Sequence, residues 1–127
     1  MCIRDRLDTS VWIHHFKRNE PEVVRLLEEQ QVVVHEFVIA ELACGSLKSR
    51  VETIRYLSDM PIIQPISTGE VMSFIEARNL YSRGVGLVDV QLLGSVVVSG
   101  DVLLWTRDKR LSKMAEEFGV GYSSEIH

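Results

Sequence analysis

Four acids in this 127-residue chain sit where a carboxylate can do chemistry: Asp8, Glu41, Asp89 and Asp108. Asp8 ends a short apolar approach, and Thr9-Ser10 opens a helix directly after it. Glu41 stands among Ile39, Ala40, Leu42 and Ala43, company in which an ionised side chain needs a partner. Asp89 opens the almost wholly apolar stretch Val88 to Ser99. Asp108 follows Val102-Leu103-Leu104-Trp105-Thr106 by two residues. Singly, each has a plainer role: Asp8, Asp89 and Asp108 as helix caps, Glu41 as a charge facing water. Gathered without a cation, four carboxylates would repel, and some would be forced to protonate. A divalent metal removes that conflict. An all-oxygen donor set without His or Cys suits Mg²⁺ or Mn²⁺.

The elements must bring these acids together. Ile3 to Asp8 reads as a first strand, but Arg4, Asp5 and Arg6 are costly to bury in a central strand. Either the strand is short and starts near Leu7, or residues 1–6 are not native to the fold, the preferred reading; they are expected to stray from the sheet or pair poorly. A helix follows over Ser10 to Phe16, and Pro21 fits the first turn of the next. Val32-Val33-Val34 is a compact β-branched strand, and Glu36 to Cys44 a helix stopped by Gly45. Leu47 to Met60 reads as a helix, Ile62-Ile63 as a short strand, and Ser67 or Thr68 as the cap of a helix running to about Ser82. Val88 to Ser99 is a buried helix, Asp101 to Thr106 a strand, Asp108 the cap of a helix to Phe118, and Gly119 to Tyr122 a last short strand. This alternation predicts one α/β domain over 1–127, with a parallel sheet and helices on both faces. In such a sheet, ligands gather at the carboxyl ends of the strands, where Asp8 and Asp108 belong.

Composition narrows the class. Apolar content of 46% and charged content of 25% describe a globular domain. The longest apolar run, Val85 to Val98, is broken by Asp89, Gln91 and Ser95, so no membrane span is expected. No secretory leader opens the chain, which gives the expectation of a cytoplasmic protein. Cys2 and Cys44 make no disulfide framework, and with four scattered histidines they lack any standard zinc spacing. The net charge of −4 argues against bulk attraction to nucleic acid, although basic residues cluster at Lys17-Arg18, at Lys48 and Arg50, and from Arg107 to Lys113.

Leu-Asp-Thr-Ser at 7–10, Ala-Glu-Leu at 40–42, Gly-Leu-Val-Asp at 86–89 and Thr-Arg-Asp at 106–108 occur in an order and spacing that resemble a PIN domain of the VapC toxin type. The resemblance runs from Leu7 to Tyr122. It implies a three-layer α/β/α sandwich and Mg²⁺- or Mn²⁺-dependent hydrolysis of RNA by metal-activated water, leaving 5′-phosphate and 3′-hydroxyl ends. It implies that Asp8, Glu41, Asp89 and Asp108 hold the metal, with Ser10 and Thr106 supporting it and its waters. It further implies a homodimer and a cognate antitoxin, which docks on apolar residues of the early helices, with Trp12, Phe16 and Leu57 as candidates. Two departures stand out: the charged start, and Gly94-Ser95 in place of alanines, which reads as a minor packing change.

Three other readings compete. A catalytically silent PIN-like module binding RNA or protein would have no use for all four acids. A receiver domain needs an adjacent acidic pair and an acid after the second strand, where this chain has His35. A nucleotide-binding fold needs a glycine-rich loop after the first strand, and none is present.

Overall fold

A computed structural model of the chain describes residues 4–7 and 9–122, with side chains from Val11 to Tyr122. Asp8 lies outside the described residues. Four strands form one parallel sheet: β1 (Arg4–Leu7), β2 (Val32–His35), β3 (Ile62–Ile63) and β4 (Val102–Trp105), in the order β3-β2-β1-β4. The helices are α1 (Thr9–Arg18), α2 (Pro21–Glu28), α3 (Glu36–Ala43), α4 (Arg50–Ser58), α5 (Thr68–Arg78), α6 (Leu87–Ser99) and α7 (Lys109–Glu117). Parallel strands need crossover connections, and these are right-handed. The chain moves from β1 through β2 to β3 in one direction, then returns past β1 to β4. That reversal puts α1 to α4 on one face of the sheet and α5 to α7 on the other. Packing of α1 on α3, α3 on α4, and α5 on α6 agrees with this division. The result is the three-layer sandwich.

For Arg4 to Arg6 the expectation of straying from the sheet is overturned; residues 1–3 lie outside the described residues. Arg4–Leu7 pairs with β4 on one side, and Asp5 and Arg6 pair with Val32 and Val33 on the other. Backbone pairing on both sides outweighs the poor strand propensity of the sequence Arg-Asp-Arg. An inner strand covered on both faces is normally apolar. Replacing Arg4 and Arg6 by Val and Ile should therefore stabilise the domain, by about 1.5–3 kcal/mol for each side chain buried. Chemical denaturation measures this, and a lower midpoint would show that the charges are satisfied where they lie.

Several helix ends fall inside the expected ranges. Ser49 takes a left-handed conformation at φ 50°, so α4 starts at Arg50, three residues after the expected Leu47. Asn79 at φ 53° closes α5 at Arg78, earlier than Ser82. Asn tolerates that conformation, and Leu80 then tucks back into the core, its N–H reaching Ile75 O at 3.0 Å. Ser67 caps α5, and Glu70 returns the bond to complete a capping box. The last expected strand shrinks to one bridge between Leu104 and Gly121. There Leu104 N–H donates to Val120 O at 2.7 Å and Tyr122 N–H to Leu104 O at 2.9 Å.

Trp12 and Leu57 are fully buried core residues, so they offer nothing to a partner, contrary to expectation. At Gly94, a Cβ would lie 2.4 Å from Ile66 Cδ1, the end of that side chain, so an added methyl would require the Ile66 side chain to shift. Beside it, buried Gln91 holds both backbone groups of Ile66: Oε1 accepts from the N–H at 3.1 Å, and Nε2 donates to the carbonyl at 2.7 Å.

Candidate active site

Parallel pairing brings the carboxyl ends of β1, β2 and β4 to one edge of the sheet. Four of the expected site residues with described side chains come from elements that begin or end there. Glu41 is on α3, which starts directly at the end of β2, and its side chain is exposed. Thr106 directly follows β4 and is buried; its Oγ1 accepts from Asp108 N–H at 3.0 Å. That bond turns the chain so that Asp108 becomes the N-cap of α7. Asp108 Oδ1 then accepts from Arg110 N–H at 2.9 Å and Leu111 N–H at 3.2 Å. Asp89 lies in the first turn of α6, half-buried, and its Oδ2 accepts from Gly86 N–H at 3.3 Å. Ser10 is in the first turn of α1, and its side chain, like the whole of Asp8, lies outside what is described.

Cap and ligand are thus not alternatives. Asp89 and Asp108 each commit one carboxylate oxygen to a helix start. Among the described residues the second oxygen accepts no hydrogen bond.

The charges meet at Asp89. Its carboxyl is held above the usual aspartate range, first by burial, then by the negative charges of Asp108 and Glu41; the Gly86 amide opposes them. Three acids from both helical layers are therefore close enough to feel one another. Among the described residues they do not close into a ready-made group of three metal ligands.

The loop between α5 and α6 is tied to α7. Arg83 makes a two-pronged pair with Glu117 at 3.2 and 2.8 Å, and Arg110 Nη1 approaches Gly84 O at 3.5 Å. Gly84 has φ 79°, and a Cβ there would strike the Arg110 guanidinium at 2.5 Å. These contacts fix the start of α6 against α7, and hence Asp89 against Asp108. Arg50, at the start of α4, donates to the carbonyls of Ala43 and Gly45, closing the end of α3, the helix that carries Glu41.

Two polar residues escaped the sequence reading. His35 is fully buried and caps α3, its Nδ1 accepting from Phe37 N–H at 3.0 Å. Its Nε2 lies 3.2 Å from Ser95 Oγ on α6. The signals were a histidine in the place of a cap and a hydroxyl within an apolar helix. Neither names its partner.

Away from the acids, a groove of about 520 Å³ opens between α1 and the start of α4. Ile13, Phe16 and Leu47 supply its apolar surface, and Lys17 and Lys48 its charge. Phe16 is 40% exposed and stacks on buried Trp12 at 5.6 Å between centroids. Of the three expected groove residues, only Phe16 is there. No described helix is long and apolar enough to cross a membrane.

The PIN domain family matches residues 7–117 of the chain. Two curated relatives are each named Ribonuclease VapC32, from Mycobacterium tuberculosis strains CDC 1551 / Oshkosh and ATCC 25618 / H37Rv. Each is 40% identical to the chain over 120 residues, spanning 94% of the chain and 97% of the relative. With the sheet order, the acid-bearing elements and these matches in agreement, the chain belongs to the PIN domain family, and its relatives over nearly their whole length are VapC ribonucleases.

Proposed function

We propose that the chain is a divalent-metal-dependent endoribonuclease, the toxin of a toxin–antitoxin pair, cutting RNA phosphodiesters by hydrolysis. The observation that carries this reading is Asp89, a half-buried carboxylate whose proton affinity is raised first by burial and further by two acids from separate elements. That is an electrostatic fault in the bare protein, and a divalent cation relieves it. The donors fit a hard ion, since all are carboxylate oxygens. Asp89, Asp108 and Glu41 would hold it together with Asp8, and Ser10 and Thr106 would support the site. When bound, Mg²⁺ or Mn²⁺ supplies an acidified water and neutralises charge on the scissile phosphate. The chain's own residues fix the geometry. Thr106 presents Asp108, the Gly86 amide orients Asp89, and Arg83 and Arg110 hold the two helices to each other.

The test is cleavage of a structured RNA by purified protein, with Mn²⁺ and with Mn²⁺ removed by a chelator. Metal-dependent cleavage with 5′-phosphate ends supports the reading. A folded protein that binds RNA and never cuts it would replace this reading with that of a silent binding module.

The antitoxin and the homodimer belong to the same proposal. An apolar floor with Lys17 and Lys48 beside it suits an amphipathic segment bearing acidic residues. An Arg from the same partner, set among the acids, would stand in for the cation's charge. Phe16→Asp should weaken capture of the antitoxin by about 10- to 100-fold, taking about 1.5–3 kcal/mol for a buried Phe. A titration of variant against wild type measures the change. An unaltered affinity would move the docking surface elsewhere on the chain.

A further inference from the structure

His35 joins the two halves of the site. It ends β2, and its buried ring makes two bonds of different kinds. Because Nδ1 accepts from the Phe37 amide, that nitrogen carries no proton. The ring N–H is therefore on Nε2, which donates to Ser95 Oγ. Ser95 is itself buried, in the middle of α6 among Leu92, Leu93 and Val96. One imidazole thus links the α1–α4 layer to the α5–α7 layer, from the end of β2 to the middle of α6.

The spacing makes the link relevant to function. Glu41 lies six residues after His35 on α3 (41 − 35), and Asp89 six residues before Ser95 on α6 (95 − 89). At 1.5 Å per residue, each acid is about 9 Å along its helix from the linked pair. Capping alone would not call for histidine, since Ser, Thr, Asp and Asn serve at that position. The longer ring does both jobs: it caps α3 and reaches α6.

We propose that His35, through its hydrogen bond to Ser95, is a positioning residue that sets the separation of Glu41 and Asp89 and thereby the affinity of the site for a divalent cation. This rests on the metal-site reading given above.

The test is Mn²⁺ affinity, followed by the paramagnetic resonance of free Mn²⁺, in a double-mutant cycle. His35→Asn keeps an oxygen near the place of Nδ1 and drops the link; Ser95→Ala drops the link from the other side. Each should weaken Mn²⁺ binding by about 10-fold, the lower end of the range for groups bonded directly to a metal ligand, since the link acts on the carboxylates through their helices. The double variant should be no weaker than either single one, because both remove the same bond. Val23→Ala, a core truncation on α2, which carries none of the acids, should lower Tm and leave Mn²⁺ affinity unchanged. If His35→Asn does not fold, Ser95→Ala carries the test alone, as it removes a single oxygen. Unchanged affinity in Ser95→Ala, additive losses in the cycle, or an equal loss in Val23→Ala would each overturn the proposal. Wild-type protein that binds no Mn²⁺ overturns the metal site itself, and this inference with it. Wild-type binding with unaltered variants overturns this inference alone.

Discussion

Asp89→Asn should abolish RNA cleavage and at the same time make the metal-free protein more stable. The fall in activity should be about 10²- to 10³-fold or more, as when one charge-stabilising group is removed from a preorganised site. The gain in stability follows from the raised proton affinity of Asp89. A carboxyl whose folded pKa lies above its unfolded one binds protons more tightly when folded. Its contribution is most favourable at low pH and is lost as pH rises through the unfolded and then the folded value. At neutral pH the ionised group is therefore a burden in the absence of metal, and Asn removes it. The variant should show a higher Tm than wild type at pH 7, with the difference vanishing below the ordinary aspartate range. Added Mn²⁺ should raise the Tm of wild type and not of the variant, because only a ligand bound to the folded state stabilises it. Thermal scans at two pH values, with and without Mn²⁺, measure all three effects. A variant less stable than wild type at neutral pH would mean that the Gly86 amide outweighs burial and repulsion.

The second large effect concerns stability alone. Gln91→Leu keeps side-chain volume and removes both bonds to Ile66. The Ile66 N–H and carbonyl are then left in a buried setting without the Gln91 amide. At about 1–3 kcal/mol for each stranded group, the loss is about 2–6 kcal/mol. Denaturant unfolding measures it. A loss below 1 kcal/mol would show that water enters to replace the amide.

What the sequence discloses and what it hides divide by distance along the chain. Asp108 as a cap, the Ser67–Glu70 box and the β-branched strand at Val32–His35 are local features, with their cause and effect within a few residues. They were legible. Asp89 and Asp108 were legible as acids at helix starts, and Glu41 as a charge among apolar neighbours inside α3. Hidden were the ties between elements. Gln91 meets Ile66 across 25 positions, Arg83 meets Glu117 across 34, and His35 meets Ser95 across 60. A polar residue in an apolar helix announces that it needs a partner, and nothing local names the partner. Trp12 and Leu57 show the converse. A hydrophobic stripe reads the same whether it faces the core or a groove, and only tertiary packing decides. Arg4–Leu7 failed in a third way, since pairing from both sides overrode what the residues prefer.

The borders of the sheet carry a consequence for the company this protein can keep. On one side β3 is two residues long and hemmed by Pro61 and Pro65. On the other, the backbone of Leu104 already spends its N–H and carbonyl on Val120 and Tyr122. Short, proline-flanked and occupied borders do not accept an added strand. Among the described residues, β3 and the bridged backbone of Leu104 give an extended segment of a partner little ladder to join. Recognition then falls to side chains on the helices, where a single substitution can redirect it.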